Sequence, residues 1–572
     1  MLDLTPFAPL TEEDLLARLA WLRDAVAPRL KRYLGYYRNP TTDLASVLPC
    51  SPAASFPVRP FRQYQELGLP ARITGFRCAA DGTAVATGTM DVQRKEVVIE
   101  NDIAWRINTL VDFAAGRPPA VTSTAKDPAM QSRLTAVIQG LLGLDGTQAG
   151  GVALLQALVL QGAIAGSAWV QLRPSPELLS RLSAQLHHRA NAGSDTGGDP
   201  PATDNASPAS RDFPADAGRW LALEVVEAAR LCPLPQGGDA HTSALTPPTA
   251  ALLTAAPASP GAPMTRRAGL LERVRTWLHK PLTALDPEEF SFDLFNDARW
   301  QCYVRGELIH EGENLLGVVP FVRYENAPDP AAGTRVGSAG SALVDAGLGD
   351  VEPLVGLQDE LNTRLSDRAF RVTISCFRMY LGRGIEDFMS RPVGPGQMWA
   401  TDNPDASIEA FGGDATMPSE DAHINEIREA LDKISGVSPV AAGLIRGKLG
   451  NLTSAVALRL TLIALLARTE RKRAALTRTL AEVVRLALAV LDRAGIISSA
   501  PEDRGIDVNW PTPLPESDMD RLAEAQAKLA LGIPRSVVLT ELGYGELSPE
   551  AVRPAEPARS ITAPPAELVE TT

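Results

Sequence analysis

A chain of 572 residues, 45% of them hydrophobic, is long enough for several packed modules and too apolar to be disordered throughout. Its formal charge of −13 excludes a protein that coats duplex DNA by bulk attraction to phosphate, so any contact with nucleic acid must be local or repulsive. Cys50, Cys78, Cys232, Cys302 and Cys376 lie far apart, without the C-x-x-C spacing of a zinc or redox site or the even count of a disulfide framework, and the histidines form no ligand set.

The opening MLDLTPFAPLTEEDLL has no basic stretch followed by an apolar core, so no secretory signal is expected and synthesis in the cytoplasm follows. Residues 11–37 predict a first helix, capped through Thr11-Glu12-Glu13-Asp14, with Leu15, Leu19 and Leu22 on its apolar face. A proline-rich loop and short strand-like pieces lead to a second helix over 102–115, whose Ile103, Ile107, Leu110, Val111 and Ala114 share a face. Asp127 and Pro128 open a third helix reaching about Leu142, and a fourth covers 152–164. Residues 146–172 carry no charge and are long enough to span a bilayer. Their four glutamines, repeated glycines and closing Ala168-Trp169-Val170-Gln171-Leu172 alternation point instead to a buried helix feeding a strand.

Between about 174 and 287 the composition shifts to Pro, Ala, Gly, Ser and Thr, which bury too little apolar surface to offset ordering entropy. Two islands interrupt it: a strand over 220–226 and a short basic amphipathic helix over 266–280. Residues 290–326 predict antiparallel strands at 290–295, 300–304 and 318–324, with a turn at Arg305-Gly306 and one polar face. After a Gly/Ser/Ala loop at 331–349 comes a helix over 351–374, with Leu354, Leu357, Leu361, Leu365 and Val372 on its apolar face and Asp359, Glu360, Arg364, Asp367 and Arg368 on others. A Gly- and Pro-rich excursion with short β-like runs fills 376–417, and a helix with a Ser-capped acidic first turn covers 419–434. Glycine-punctuated residues 438–451 precede a run without Gly or Pro from 453 to 494, predicting one helix about 60 Å long. A single domain has difficulty covering that length, which suggests a ring-like or bundled setting. A strand at 506–510, a helix over 517–531 and a Pro/Ala/Glu-rich mobile tail close the chain.

Motifs for chemistry fail on inspection. Gly443-Leu444-Ile445-Arg446-Gly447-Lys448 lacks the glycine spacing, following hydroxyl and preceding strand of a phosphate loop. The carboxylate pairs Asp359/Glu360 and Glu420/Asp421 are adjacent on helices and point in different directions. No nucleophile elbow accompanies a His and an Asp, so no catalytic constellation, metal site or cofactor is expected. The long helix is locally basic through Arg459, Arg468, Arg471, Lys472, Arg473, Arg478, Arg485 and Arg493. A solvated face, pairing with neighbouring subunits and DNA contact all remain open for it.

In order, these segments resemble the portal family of tailed phages, in the branch of siphophage-like heads. The first half carries the likeness in Asn101-Asp102-Ile103 leading to Asp112-Phe113-Ala114-Ala115-Gly116-Arg117-Pro118-Pro119, in Gly166-Ser167-Ala168-Trp169-Val170, and in Gly317-Val318-Val319-Pro320-Phe321 running to Asn326. The second half carries it in Leu452-Thr453-Ser454-Ala455-Val456-Ala457-Leu458, with Ala455 where the family often has glycine, and in Trp510-Pro511 followed by Leu531-Gly532-Ile533-Pro534-Arg535-Ser536.

The resemblance implies an α+β, mainly α, ring-forming portal fold. Its expected parts are a wing over 1–349 with inserts at about 174–219 and 237–287, a stem helix over 350–375, a clip over 376–417 and a second stem helix over 418–436. A tunnel loop over 437–452, a long wing and crown helix over 453–500, and a crown with a mobile tail over 501–572 complete it. It implies stem residues Asp359, Glu360, Asp367, Arg368, Glu426 and Glu429, and Arg446 and Lys448 as tunnel-loop cations approaching DNA. The implied protein is no enzyme and needs no cofactor; it is a ring of twelve copies at one capsid vertex, assembled in the host cytoplasm. Implied partners are double-stranded DNA, the terminase large subunit, a head-tail adaptor and the major capsid or scaffolding protein, with no membrane. The rival readings are a nucleotide-dependent packaging enzyme, a membrane pore, and an oligomeric scaffold without a channel.

Overall fold

The computed structural model describes residues 2–43, 61–74, 76–78, 84–86, 96–144, 150–192, 217–234, 250–254, 290–327, 347–376, 379–384, 403–411, 417–443, 455–514, 518–532, 535 and 538–539. The chain divides into two compact units, Met1–Pro511 and Thr512–Thr572.

The first predicted helix forms as α1 (Glu12–Trp21) and α2 (Ala27–Arg38), joined by a π-helical turn at Leu22–Val26. Thr11 caps α1 by accepting from the Asp14 N–H, as the capping pattern predicts. The π turn has a local cause: Pro28 brings no N–H to the ladder and crowds the carbonyl four residues before it, so the helix widens there. Asn39, in the left-handed region at φ 42°, ends α2. Two small antiparallel pairs follow, β1 (Thr41–Asp43) with β2 (Phe61–Gln63) and β3 (Phe76–Cys78) with β4 (Ala84–Ala86).

The core of the first unit is built by α3 (Asp102–Ala115), α4 (Pro128–Leu142) and α5 (Gly150–Ala165), with β5 (Ala120–Ser123) before α4. Asn101 and Asp127 cap α3 and α4 by accepting from the N–H three residues on. The uncharged stretch forms α5 and then β6 (Ser167–Pro174), and no helix among the described residues is long and apolar enough to cross a membrane. Helix α5 packs against α2, α3 and β6, which is why it is apolar on every side. Gly162 lets it approach: a Cβ there would stand 2.4 Å from the ring of Tyr324.

The Pro/Ala-rich region corrects one expectation. Residues 176–192 are helical, forming α6 (Pro176–Ala192), with Pro176 in the first turn, the Ser175 hydroxyl accepting from the Leu178 N–H, and Leu178 and Leu182 buried. Small residues diluted this periodicity but did not remove it. Beyond it lie β7 (Leu221–Glu227), β8 (Leu231–Leu234) and β9 (Ala250–Thr254), the last inside the second expected insert. The basic segment 266–280 lies outside the described residues.

Strands β10 (Ser291–Asn296), β11 (Arg299–Val304) and β12 (Glu307–Glu313) extend this sheet to five, ordered β12-β11-β10-β9-β8. β12 is almost wholly exposed and shows no alternation, so the hydrophobic pattern missed it. The last expected strand, β13 (Phe321–Glu325), does not join that hairpin series; it pairs with β6 in a separate sheet ordered β13-β6-β7. The two sheets meet through Trp169, Val226, Leu231, Ala251, Leu253, Val319 and Phe321, with the Phe295 and Phe321 rings edge to face at 5.4 Å.

Next come α7 (Val355–Cys376), the antiparallel pair β14 (Met379–Arg383) and β15 (Ser407–Phe411), and α8 (Pro418–Ser435). The expected Ser cap of α8 is corrected: Pro418 takes the first helical position, so Met417 is the capping residue and offers no side-chain bond, with Ser419 already inside. The single long helix is corrected too. It is two segments, α9 (Ala455–Thr461) and α10 (Ile463–Arg493), interrupted where Leu462 turns to φ −98°, ψ 8°. No glycine or proline marks that break. β16 (Ile506–Asn509) returns to pair with β5. In the second unit the described helix is α11 (Asp518–Ala530).

Candidate functional site

The two helices α7 and α8 form an antiparallel pair whose distal connection carries the β14–β15 hairpin. The seam is narrow: on α8 only Ile424, Ile427, Leu431 and Ser435 are buried. Charges stitch its flanks. Arg371 grips both Glu420 oxygens at 2.5 and 2.6 Å, and Arg368 meets Asp421 at 2.9 Å. Glu360 pairs with Arg364 at 2.6 Å and lies 3.5 Å from His423 Nε2, whose Nδ1 is 3.7 Å from Glu426. The fold therefore gathers Glu360, Glu426 and, further along, Arg368 on the outer flanks of one hairpin. Glu429 faces solvent beside Lys433, 3.7 Å away. Asp367 is turned to the body and binds Arg72.

Asp359 is not at the surface of the pair. It packs against α2, accepting from the Tyr36 hydroxyl at 2.8 Å, and burial pushes its carboxyl up to about 6 against the pull of the Tyr36 bond and of Arg32. Arg446 and Lys448 lie outside the described residues.

Behind the hairpin, the buried face of α7 is polar. Gln358, Asn362 and Ser366 recur every fourth residue, all fully covered. Gln358 donates to the Glu100 carbonyl, Asn362 accepts from the Glu100 N–H at 3.0 Å, and Ser366 accepts from the Val98 N–H at 3.0 Å while its own proton goes to the Asn362 carbonyl at 2.7 Å. These side chains serve an extended stretch of backbone as a neighbouring strand would. Asn362 also donates to Gln65, which binds the Tyr36 carbonyl at 2.7 Å, so α2, α7 and the 98–101 segment are one network.

The basic stretch of α10 is divided: Arg471, Arg478 and Arg485 are exposed, whereas Lys472 and Arg473 are buried and Arg468 is half-buried. Lys472, 4% exposed, binds Asp350 at 2.6 Å and Asn326, and Arg468 reaches Asp350 at 3.4 Å and the Ile434 carbonyl. Arg473 donates to the Phe113 and Ala114 carbonyls. Both arginines thus sit on carbonyls at the C-terminal ends of α8 and α3, where the helix dipole favours a cation. Burial lowers the pKa of each. Gly436, at φ 69°, ends α8 under Arg468, where a Cβ would lie 2.9 Å from the guanidinium. On α3, Arg106 is buried and binds Asp432 at 2.5 Å, Asp102 at 3.3 Å and the Val437 carbonyl at 2.8 Å.

Sequence reasoning missed these anchors. The signal for the α7 ladder was the spacing of Gln358, Asn362 and Ser366 beside Leu354 and Leu361. Little in the local sequence marks Asp350 or Arg106: Arg106 has Asp102 one turn away, but Asp432, Arg468 and Lys472, which complete the two sites, lie more than a hundred residues off.

Among the described residues no group of three or more His, Cys, Asp or Glu is placed to hold a metal ion. No curated protein matches the chain. Residues 288–543, from β10 through the α7–α8 pair to the end of the described chain, match the family described as phage portal protein, SPP1 Gp6-like. Over that region, a little under half of its length, the chain is similar to the tailed-phage portal protein family.

Proposed function

We propose that copies of this chain close into a ring at one capsid vertex, forming the channel through which DNA is packaged, retained and ejected. The observation that carries the reading is the hairpin of α7 and α8, tipped by β14–β15 and followed by α10, lying within the portal-family match. A two-helix unit with so narrow a seam leaves wide flanks uncovered, and lateral repetition is a direct way to cover them. In this reading 350–375 and 418–436 are the stem, 376–417 the clip and 437–452 the tunnel loop. The region before 350, 453–500 and 501–572 supply wing and crown. Twelve copies enclose the duplex, the clip receives the terminase large subunit and then the head-tail adaptor, and capsid or scaffolding protein holds the rim. The role is structural, with hydrolysis of nucleotide left to the terminase.

An acidic wall repels phosphate and lets duplex slide, while Arg446 and Lys448 grip it transiently. Negative-stain images of the purified protein test the proposal: annular particles with a central hole are expected. A compact monomer under every assembly condition would overturn it.

A further inference from the structure

We propose that the outer face of α2 binds double-stranded DNA through its phosphates, at a surface separate from the tunnel loop. Between residues 25 and 40 the chain carries Arg29, Lys31, Arg32 and Arg38 and no carboxylate, within a protein of net charge −13. All four side chains are exposed, whereas Val26, Leu30, Tyr33 and Tyr36 hold the other side of the helix in the core. None of the four is within salt-bridge distance of a carboxylate among the described residues, although Arg32 lies near enough to Asp359 to act on its carboxyl; Lys472 of α10, by contrast, is buried on Asp350. Arg32 is steadied over the Tyr36 ring, 5.7 Å from its centroid.

The choice between an acidic protein and a nucleic acid rests on what accompanies the charges. A stable protein interface needs an apolar centre, and among the large hydrophobic side chains that the described residues expose, none belongs to α2. A hydrated polyanion needs no such centre, because its affinity comes from counter-ion release. Three arginines and a lysine on one helix therefore fit the sugar-phosphate backbone and read no sequence. This inference does not depend on ring closure, since the face belongs to a single copy.

The test is fluorescence anisotropy of the full chain with two unrelated duplexes of about thirty base pairs, over a salt series. The variant Arg29→Ala/Lys31→Ala/Arg38→Ala leaves Arg32 on Tyr36 and keeps the buried face intact. It is expected to bind both duplexes at least about tenfold more weakly at low salt, and to lose about three units of salt slope. Unchanged melting curves exclude misfolding as the cause; should the triple variant melt early, Arg38→Glu alone, at the last turn, is expected to weaken binding in the same direction. The assignment is overturned if the variants bind like the parent, or if only Arg446→Ala/Lys448→Ala reduces binding. It is also overturned if polyglutamate displaces the duplex as well as unlabelled DNA does, which would mark an acidic protein partner. Images of the same samples read ring formation separately, so loss of one result leaves the other standing.

Discussion

The body around α5 and the hairpin of α7 and α8 solve the same problem in opposite ways. Helix α5 buries Leu155, Leu158, Val159, Ala163 and Ile164 and has neighbours on several sides, so hydrophobic burial alone holds it in place. The hairpin has one thin apolar seam, a polar inner face spent on backbone, and outer flanks bearing ion pairs. The body is self-sufficient within one copy; the hairpin depends on what grips its base. That grip is concentrated in Arg106 on Asp432, Arg468 on the Ile434 carbonyl and Arg428 on Glu100 at 2.6 Å.

The sharpest way to break the contrast is at Asp432. Asp432→Ala leaves the Arg106 guanidinium buried with only Asp102, 3.3 Å away, as a carboxylate partner. Arg106 is buried, but Asp432 is 24% exposed and Asp102 stays beside the guanidinium. The loss is therefore expected to fall below the about 3–5 kcal/mol of a fully buried pair, at about 2 kcal/mol by urea denaturation. Arg106→Met/Asp432→Leu, which removes both charges, is expected to recover much of it. A loss below about 1 kcal/mol for Asp432→Ala would show that the hairpin base is held elsewhere.

Asp359 gives a comparable effect with a defined pH dependence. Its carboxyl is pushed up to about 6 from an ordinary 3.8, so the folded chain holds that proton more tightly than the unfolded chain. Its contribution is therefore most favourable below pH 3.8, is lost as pH rises through about 6, and stays unfavourable above that. Asp359→Asn keeps an acceptor for Tyr36 without the charge. It is expected to stabilise the fold at pH 7.5 by about 1–3 kcal/mol and to lose that advantage near pH 4. Equal differences between variant and parent at both pH values would remove burial of the carboxylate as the cause.

The same contrast explains what the sequence discloses. Apolar periodicity marks α3 at its observed bounds and places α4, α5, α7 and α8 within a few residues, because burial writes a pattern every third or fourth residue. It misses β12, which buries almost nothing, and merges α9 with α10, since Leu462 breaks the helix without a breaking residue. The candidate stem residues lie on the two helices that the resemblance named, but their partners were not legible. Asp359 meets Tyr36, and Asp367 meets Arg72, across separations that local spacing does not encode. The cations of α10, for which the sequence left several settings open, divide: Arg471, Arg478 and Arg485 face solvent, whereas Lys472 and Arg473 are buried because Asp350 and the open end of α3 lie opposite them.

The smallest expected effect is the most informative about assembly. Arg368 and Asp421 are 47% and 54% exposed, and an ion pair that open to water is worth at most about 0.5 kcal/mol. Arg371 differs, because its partner Glu420 is 12% exposed and held by two bonds, so Arg371→Ala is expected to cost the isolated chain about 1 kcal/mol or somewhat more. Thermal melts of the two variants at low and high salt check the order. Salt should erase the Arg368→Ala difference and leave most of the Arg371→Ala one, since screening acts on charges that solvent reaches. Repeating both melts on assembled annuli then asks whether a neighbouring copy covers the flank. A cost for Arg368→Ala that grows on assembly places that flank in the proposed ring contact; a cost that stays near zero leaves it facing solvent and points, if copies do close into a ring, to the flank bearing Glu426 and Glu429.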